Sequence, residues 1–314
     1  MKNNNLKKIS LKLKNNLKNI SLKLKNEYLG RGYATLCGAI IVILTFTIII
    51  FLTTKGLNTF IKHGYSIFKF IASGDWNPDG SGGEVPPQFG ALIFILASSV
   101  VSLLAVIVSA PVGVALAVFM NVISPKLGTK VLQPAIELFV GIPSVVYGWI
   151  GVSVLVPIIK IFFGGIGFSL LAGVLVISVM ILPTITSISS DAIKTIPKDY
   201  IEASYGLGAT RWQTIIKVII PAAKSGILTG IVLGVSRAFG EALAVQMVIG
   251  NSVTFLNGFL GTTSTLTSIL TMDMANTISG TAWNDALWSM ALLLLVISFI
   301  FIIIIRKIGK RGEV

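Results

Sequence analysis

Apolar residues occur in six long runs along the chain, separated by shorter polar stretches. Each run is close to or above the roughly 20 residues that a helix needs to cross a bilayer core. The runs cover about 34–54, 88–120, 132–157, 168–189, 222–249 and 285–305. Strands of a transmembrane barrel would alternate polar and apolar residues, and the sequence shows no such alternation. The pattern predicts an all-α, polytopic membrane protein with six transmembrane helices.

The composition agrees with this class. Hydrophobic residues make up 54% of the 314 residues, and the mean hydropathy is +0.89. Only 12% of the residues are charged, whereas a soluble domain carries roughly a quarter. We therefore expect a multi-pass membrane protein.

The net charge of +13 is distributed unevenly between the segments that connect the spans. Residues 1–33, 121–131, 190–224 and 306–311 hold 20 of the 25 Lys and Arg residues, whereas the remaining connections hold four. Because positively charged loops stay in the cytoplasm, both termini are expected there. This topology signal accounts for the basic character, so nucleic-acid binding is not needed to explain it.

Residues 1–33 form a basic N-terminal arm, which we separate from a permease-like region at 34–314. Residues 6–15 recur almost unchanged as residues 17–26, an offset of 11 residues or about three helical turns. A helix with this repeat would carry an apolar stripe at Leu6, Ile9, Leu13, Leu17, Ile20 and Leu24. Two interpretations stay open: a basic amphipathic helix on the anionic inner leaflet, or a disordered tail that only sets topology.

Several kinds of chemistry are excluded by residue counts. The one cysteine, Cys37, has no internal disulfide partner, and the one histidine, His63, rules out a His-based metal cluster or triad within the chain. The phosphate-binding pattern G-x-x-x-x-G-K-[ST] is absent. We expect neither enzymatic activity nor a cofactor, and any ATP hydrolysis must come from a separate chain.

The cytoplasmic loop at about 190–221 has a helical pattern of its own. Tyr200, Ala203 and Leu207 predict one short helical face, and Gly206 and Gly208 permit a sharp turn. A second face then follows at Trp212, Ile215, Ile216 and Ile219, before Pro221. Two short helices around a glycine turn are suited to docking on a partner.

This loop resembles the coupling segment of ABC importer permeases. Their pattern is Glu-Ala-Ala, three residues, Gly, nine residues, Ile, any residue, Leu-Pro. Here Glu202-Ala203-Ser204, Gly208 and Pro221 stand at the same spacing, with Ser204, Val218 and Ile220 as departures of similar size. The resemblance implies the type I permease fold, with this segment as a cytoplasmic coupling helix that contacts the ATPase through Glu202, Ala203, Gly208 and Pro221.

Three further stretches are similar to the phosphate-specific branch of the family, the PstC-type permeases. They are GIPSVVYGW (141–149), DWNP (75–78) with Phe-Gly at 89–90, and SRAFGEALAVQMVIGN (236–251). The resemblance covers the chain from about residue 34 onwards. It implies a permease subunit of an ATP-driven phosphate importer, located in a bacterial cell (plasma or inner) membrane. The implied partners are a second homologous permease, a dimer of ATPase subunits, an extracytoplasmic phosphate-binding protein and inorganic phosphate.

The fifth run contains two charges, Arg237 and Glu241. On an uninterrupted helix they lie about 40° apart, beside a stripe of small residues that permits close helix packing. The stripe consists of Gly226, Gly230, Gly234, Ala238 and Ala242. Since Arg costs roughly 2.5–3.5 kcal/mol within a bilayer, it is not expected to face lipid.

Two hypotheses for this pair stay open. In one, Arg237 contacts phosphate on the translocation path and Glu241 holds the guanidinium. In the other, the pair is an ion pair that locks the helix to its neighbours. The resemblance favours the first, because both positions match residues tied to transport in the family.

Other intramembrane or loop residues receive simpler interpretations. We expect Glu137 to pair with Lys130 or Lys224, or with a partner subunit, and Arg211 and Lys217 to be solvated or to contact the ATPase. Pro111, Pro143 and Pro183 are expected to bend or interrupt their spans.

Two other functions are compatible with parts of the sequence. The nearer one is an ABC importer of another oxyanion, such as molybdate, sulfate or phosphonate, because those permeases share the coupling pattern. A secondary transporter or channel that works without ATP is the other. It would leave the coupling loop unexplained, and the spans hold too few ionisable residues for a proton relay.

Overall fold

The structure is a computed structural model that describes the backbone of residues 2–310 and the side chains of residues 28–304, 306 and 307, apart from Ser81. The chain divides into two compact units, Met1–Thr54 and Lys55–Val314. The first unit lies within one long helix, α1 (Lys2–Gly56). The stripe proposed for the basic arm lies outside the described side chains. The surface-helix interpretation and the boundary at residue 33 therefore stay predictions.

The connection after α1 folds into short elements. They are α2 (Asn58–Ile61), α3 (Ile67–Ala72), β1 (Trp76–Asn77), α4 (Gly80–Gly83) and β2 (Gln88–Phe89). The two strands pair antiparallel, with Trp76 opposite Phe89. The second span, predicted from residue 88, therefore begins later. Gly90 packs so closely on the backbone of Ser73 and Asp75 that no side chain would fit there, which fixes a tight turn before the helix.

The second to fourth spans follow. They comprise α5 (Leu92–Val118) with a π-helical end at Phe119–Ile123, α6 (Pro125–Leu127), a π-helical turn at Gly128–Leu132, α7 (Gln133–Gly141), α8 (Ser144–Ile150), a π-helical turn at Gly151–Leu155, α9 (Val156–Phe163) and α10 (Leu170–Lys194). The helices α5 and α10 continue through Pro111 and Pro183. The predicted third span at 132–157 is interrupted, because Ile142 and Pro143 are extended between α7 and α8.

The rest of the chain contains the loop and the last spans. The elements are α11 (Lys198–Gly206), α12 (Arg211–Thr214), a π-helical turn at Ile215–Ile219, α13 (Ile220–Ala222), α14 (Lys224–Gly240), α15 (Leu243–Val248), α16 (Leu266–Asp273), a 3₁₀ turn at Met274–Asn276 and α17 (Ala282–Lys310).

Among the described residues, five helical segments are long and apolar enough to cross a membrane, and the number is six if one bent pair counts as a single span. The five are Tyr28–Ile61, Leu92–Ile123, Ser144–Phe163, Leu170–Lys194 and Ala282–Ile304. The bent pair, Arg211–Ala222 with Lys224–Gly240, turns by 69° at Ala223. The predominantly helical membrane fold is confirmed, with the fifth span as its irregular member.

The centre of the second unit is formed by α5, α10 and α14. The small residues of α14 face α10: a side chain at Gly230 would meet Ile185 and Ile188, and one at Gly234 would meet Ile185 again. The Ser109 hydroxyl in α5 bonds to the Ser178 carbonyl in α10 at 2.8 Å. The predicted stripe therefore does bring two helices close together, as far as Ala238.

Two smaller apolar clusters lie at the ends of this bundle. We call the end that contains the 190–221 loop the coupling end, and there Ile215 and Ile219 pack with Ala117, Val118 and Ile193. At the opposite end, Phe94, Leu266 and Leu287 are buried together. These clusters hold the loops on rigid helix ends.

Candidate functional site

The fifth span is broken in the middle of the charged stretch. The helix α14 ends at Gly240, Glu241 is extended (φ −74°, ψ 124°) and α15 begins at Leu243. The prediction of one helix over 222–249 is wrong here, and so is the 40° separation derived from it. The Thr267 hydroxyl donates to the Glu241 carbonyl at 2.7 Å, which stabilises the non-helical backbone at the break.

Arg237 lies in the last turn of α14 and its side chain is half-buried. Its Nη1 donates a hydrogen bond to Thr184 Oγ1 in α10 at 3.0 Å. A cation in the last turn is favoured by the negative end of the helix dipole. Arg237 is therefore anchored by a neutral hydroxyl and by its position at a helix end.

Glu241 does not hold the guanidinium. Its Oε1 accepts a hydrogen bond from the Ala244 backbone N–H at 3.1 Å, at the start of α15. The ion pairs within 4.0 Å in the described part of the chain are His63–Asp285 and Asp191–Lys194. The predicted Arg237–Glu241 pairing is wrong, because the helix break turns the carboxylate towards α15.

A second interrupted helix lies beside this break. In GIPSVVYGW, the buried Tyr147 of α8 donates its hydroxyl to the Phe139 carbonyl of α7 at 2.8 Å, bridging the interruption at Pro143. Gly148 allows α8 to pack on α15, since a side chain there would meet Ala244 and Met247. Arg237 and Thr184 thus meet across α14 and α10, and α8 packs on the helix that follows the break.

The loop forms the predicted pair of short helices. The turn is at Gly208, whose φ of +79° favours glycine, whereas Gly206 is the last residue of α11. A capping box between Thr210 and Gln213 starts α12. Pro221 lies within α13, and the chain bends at Ala223.

The predicted coupling residues Glu202, Ala203, Gly208 and Pro221 are all exposed. Around them, Leu207 is 90% exposed and Trp212 is 65% exposed. The predicted second face is divided, because Ile215 and Ile219 are buried while Trp212 and Ile216 face outward. The segment therefore presents an apolar surface at its turn and holds the bundle with its other side.

Ser204, which departs from the family pattern, has a specific partner. Its buried hydroxyl lies 2.9 Å from Thr214 Oγ1, joining α11 to α12. Arg211 is exposed, as expected, but it also has a main-chain contact, and within the described residues Glu137 has neither of its two predicted lysine partners. Arg211 donates to main-chain carbonyls of Val122 and Ile123. Glu137 accepts a hydrogen bond from Gln133 at 3.1 Å and forms no ion pair with Lys130 or Lys224.

Residues 109–313 match the family described as binding-protein-dependent transport system inner membrane component. The match contains the coupling segment and both broken helices. The chain belongs to this family. The permease is therefore an inner-membrane, multi-pass subunit of an ABC importer. The family is one of transport permeases and not of enzymes, and membership implies a separate ATPase, a binding protein and a second permease.

Curated relatives cover most of the permease. It is 52% identical to the "Probable ABC transporter permease protein YqgH" of Bacillus subtilis, over 92% of each chain. It is 32% identical to the "Phosphate transport system permease protein PstC" of Mesorhizobium japonicum, over 78% of this chain and 79% of the relative. The resemblance to PstC-type permeases that the sequence suggested is confirmed at the level of homology.

Solved structures support the fold. A permease of the MetNI methionine ABC transporter in an inward-facing conformation matches with a TM-score of 0.55 and 20% identity, over 72% of this chain and 95% of that chain. A bacterial ABC transporter involved in alginate import matches with a TM-score of 0.62 and 17% identity, over 92% and 99%. These likenesses confirm the type I importer fold.

Sequence reasoning missed Thr184 and gave Tyr147 no role. Thr184 lies 53 residues before Arg237, in a span with other hydroxyl residues, and no spacing rule connects the two. Tyr147 lies within a quoted stretch, and the adjacent Ile142-Pro143 is the signal that could have indicated a helix interruption there.

Proposed function

We propose that the permease carries phosphate, and that Arg237 is the residue that contacts the anion within the membrane. The observation that carries the proposal is the set of partners that the Arg237 guanidinium contacts. Its hydrogen bond is to a neutral threonine, and the ion pairs among the described residues do not include it. A half-buried guanidinium without a carboxylate partner is suited to a transient anionic ligand.

The cost of the charge supports this role. An arginine in the middle of a span costs roughly 2.5–3.5 kcal/mol, and a passing anion offsets part of that cost. Arg has several N–H donors in a planar fork that matches phosphate oxygens. One donor is used by Thr184, which leaves others free to bind. Weak binding of this kind is what conduction requires.

Glu241 belongs to the same proposed path through a different role. Its carboxylate accepts a hydrogen bond from the Ala244 N–H and so fixes the break, four residues beyond Arg237. Irregular backbone at membrane depth occurs where it is buried in protein or lines a polar cavity. We assign Glu241 to shaping the path beside Arg237.

Energy for uptake is proposed to enter at the coupling segment. The residues Glu202, Ala203, Gly208 and Pro221 would contact the ATPase dimer, and an extracytoplasmic phosphate-binding protein would deliver the substrate. Import of a dianion against an inside-negative potential of about 100 mV costs about 4.6 kcal/mol before any concentration gradient. A passive pore would release phosphate under these conditions, so transport must be driven and gated.

The substrate is tested with the assembled complex of both permeases and the ATPase in proteoliposomes with binding protein. We expect ATP-driven uptake of labelled phosphate that excess phosphate suppresses and that sulfate and molybdate leave unchanged. Absence of ATP-driven phosphate uptake, or uptake that excess unlabelled phosphate does not suppress, would refute phosphate as the substrate. Uptake that persists with an inactive ATPase would contradict the ABC mechanism.

The role of Arg237 is tested with Arg237→Gln and Arg237→Lys in the same complex. We expect Gln to abolish uptake while assembly is kept, and Lys to keep a small part, since the charge stays but the fork is lost. Lys224→Gln is the matched control, because it removes an exposed cation from the other end of α14. Loss of assembly in step with uptake would favour a purely structural role, in which the Arg237–Thr184 hydrogen bond holds α14 against α10.

A further inference from the structure

Arg211 joins two parts of the permease that are far apart in sequence. Its Nη2 donates to the Val122 carbonyl at 2.6 Å and to the Ile123 carbonyl at 3.0 Å, 89 and 88 residues away. Arg211 is the first residue of α12 in the coupling segment, and the two carbonyls end the second span. One side chain thus connects the proposed ATPase contact to a transmembrane helix.

The acceptors are groups that a helix end leaves without partners. The second span closes in a π-helical turn at Phe119–Ile123, after which Ser124 leaves the helical conformation. The last carbonyls of a helix lack intrahelical donors and carry the negative end of the dipole. A guanidinium there satisfies two of them with charge-assisted hydrogen bonds, which are stronger than neutral ones.

The coupling segment is internally stiff between its exposed turn and Arg211. The Ser204–Thr214 hydroxyl contact joins α11 to α12, and the Thr210–Gln213 capping box fixes the residue before Arg211. A displacement of α11 therefore moves Arg211 with it.

The second span leads from Arg211 to the neighbourhood of the helix break. Ser98 and Ser102 in α5 line a small cavity together with Glu241, and Ser98 Oγ accepts the Leu266 N–H at 2.9 Å. From Ser102 to Ile123 is roughly 30 Å at 1.5 Å per residue. The span is the connection from the coupling end to the proposed path.

We propose that Arg211 is a positioning residue that transmits movement of the coupling segment to the second span. The inference rests on the proposed contact between this segment and the ATPase. Apolar packing of Ile215 and Ile219 also holds the segment on the bundle. Hydrogen bonds are directional, so those of Arg211 fix the orientation and register of α12 on the second span, which apolar packing alone does not. Loss of Arg211 uncouples ATP hydrolysis from uptake and leaves both partners folded.

The test is the ratio of substrate transported to ATP hydrolysed by the complete complex in proteoliposomes. Arg211→Gln lowers this ratio about tenfold while basal ATPase activity and assembly remain, since the charge and the forked donor are lost. Arg211→Lys lowers it about threefold, because a point charge replaces the fork. Lys198→Gln, which removes an exposed cation at the start of α11 in the same segment, leaves the ratio unchanged.

An unchanged ratio in Arg211→Gln, or an equal loss in Lys198→Gln, would overturn the proposal. If Arg211→Gln fails to assemble, Arg211→Lys decides: a wild-type ratio then means a purely structural role, and a reduced ratio supports transmission. The ratio is read with the oxyanion that the wild-type complex transports. If the proposed substrate is wrong, the wild-type complex fails to transport phosphate. If the proposed role of Arg211 is wrong, the ratio in the Arg211 variants stays at the wild-type value.

Discussion

The guanidinium of Arg237 donates a hydrogen bond to the Thr184 hydroxyl at 3.0 Å, across the interface between α14 and α10. The same two helices pack closely through Gly230 and Gly234, nearer the coupling end. The hydroxyl fixes the position of a charge that would otherwise swing freely on a long side chain. In the proposed function, Thr184 would therefore set where the anion meets Arg237.

Thr184→Val should lower phosphate uptake by at least about tenfold, because a hydrogen bond to a charged group contributes roughly 1.5–3 kcal/mol and about 1.4 kcal/mol is a factor of ten. Thr184→Ser keeps the hydroxyl and should retain most of the uptake. Thr186→Val is a control in the same helix, since its hydroxyl bonds only to the Leu182 carbonyl. Initial rates of labelled phosphate uptake are the measurement, and equal losses in the Thr184→Val and Thr186→Val variants would argue against a specific role.

Glu241→Ala should loosen the start of α15. Its carboxylate accepts the Ala244 N–H, and loss of such a helix-capping contact costs about 0.5–2 kcal/mol. We expect faster hydrogen exchange over residues 243–248 together with reduced uptake, and a milder change in Glu241→Gln, which keeps an acceptor oxygen. Arg237→Lys should leave this exchange unchanged. If it produced the same loosening, Arg237 and Glu241 would act as a pair after all.

Ser204 and Thr214 should show coupled effects on stability. Each single change, Ser204→Ala or Thr214→Val, removes one side of a buried hydroxyl contact, and a neutral hydrogen bond contributes about 0.5–1.5 kcal/mol. The double variant should lose less than the sum of the single losses. Thermal unfolding of the complex in a double-mutant cycle measures this difference, and strictly additive losses would show that the contact contributes nothing.

Asp273, outside the candidate spans, should make stability depend on pH. Burial raises the pKa of this carboxyl, the Trp283 and Trp76 side chains lower it, and the Asp79 charge raises it again. The net pKa lies above the ordinary value of 3.8, so the folded state binds the proton more tightly than the unfolded state. The contribution to stability is fully present below the ordinary value and is lost as pH rises through the raised pKa.

Thermal unfolding of the wild type should therefore occur at a higher temperature as pH falls from neutral towards 3.8. Asp273→Asn should remove this part of the dependence, because the amide does not titrate. Glu84→Gln is a suitable control, since it removes an exposed carboxylate in the connection that also contains Asp79. An identical pH profile in wild type and Asp273→Asn would show that another group is responsible.

Local features of the sequence were sufficient for the class of fold and for the pair of short helices in the 190–221 loop. Long apolar runs predict spans because a bilayer requires them, and the Glu202, Gly208 and Pro221 spacing is the basis for proposing this loop as the coupling segment. Gly208 adopts the left-handed conformation that the turn needs, and the small residues of α14 meet α10. Each of these depends on residues that are near one another in sequence.

The helix break at Glu241 was decided by the tertiary structure. The sequence from Ser236 to Val245 contains no proline, and a single glycine costs a helix only about 1 kcal/mol relative to alanine. The hydroxyl of Thr267, 26 residues away, bonds to the Glu241 carbonyl and stabilises the extended backbone. A long-range contact of this kind overrides the local preference for a continuous helix.

The sequence by itself thus determined that this protein is a multi-span helical permease of the ABC importer family, and it marked Arg237, Glu241 and the predicted coupling segment as candidates. Only the tertiary structure decided what each charge contacts: Arg237 meets Thr184, Glu241 meets the Ala244 N–H, and Arg211 meets the end of the second span. The reason is physical. Hydropathy and backbone preference are properties of neighbouring residues, whereas the partner of a long charged side chain depends on which distant helix packs beside it.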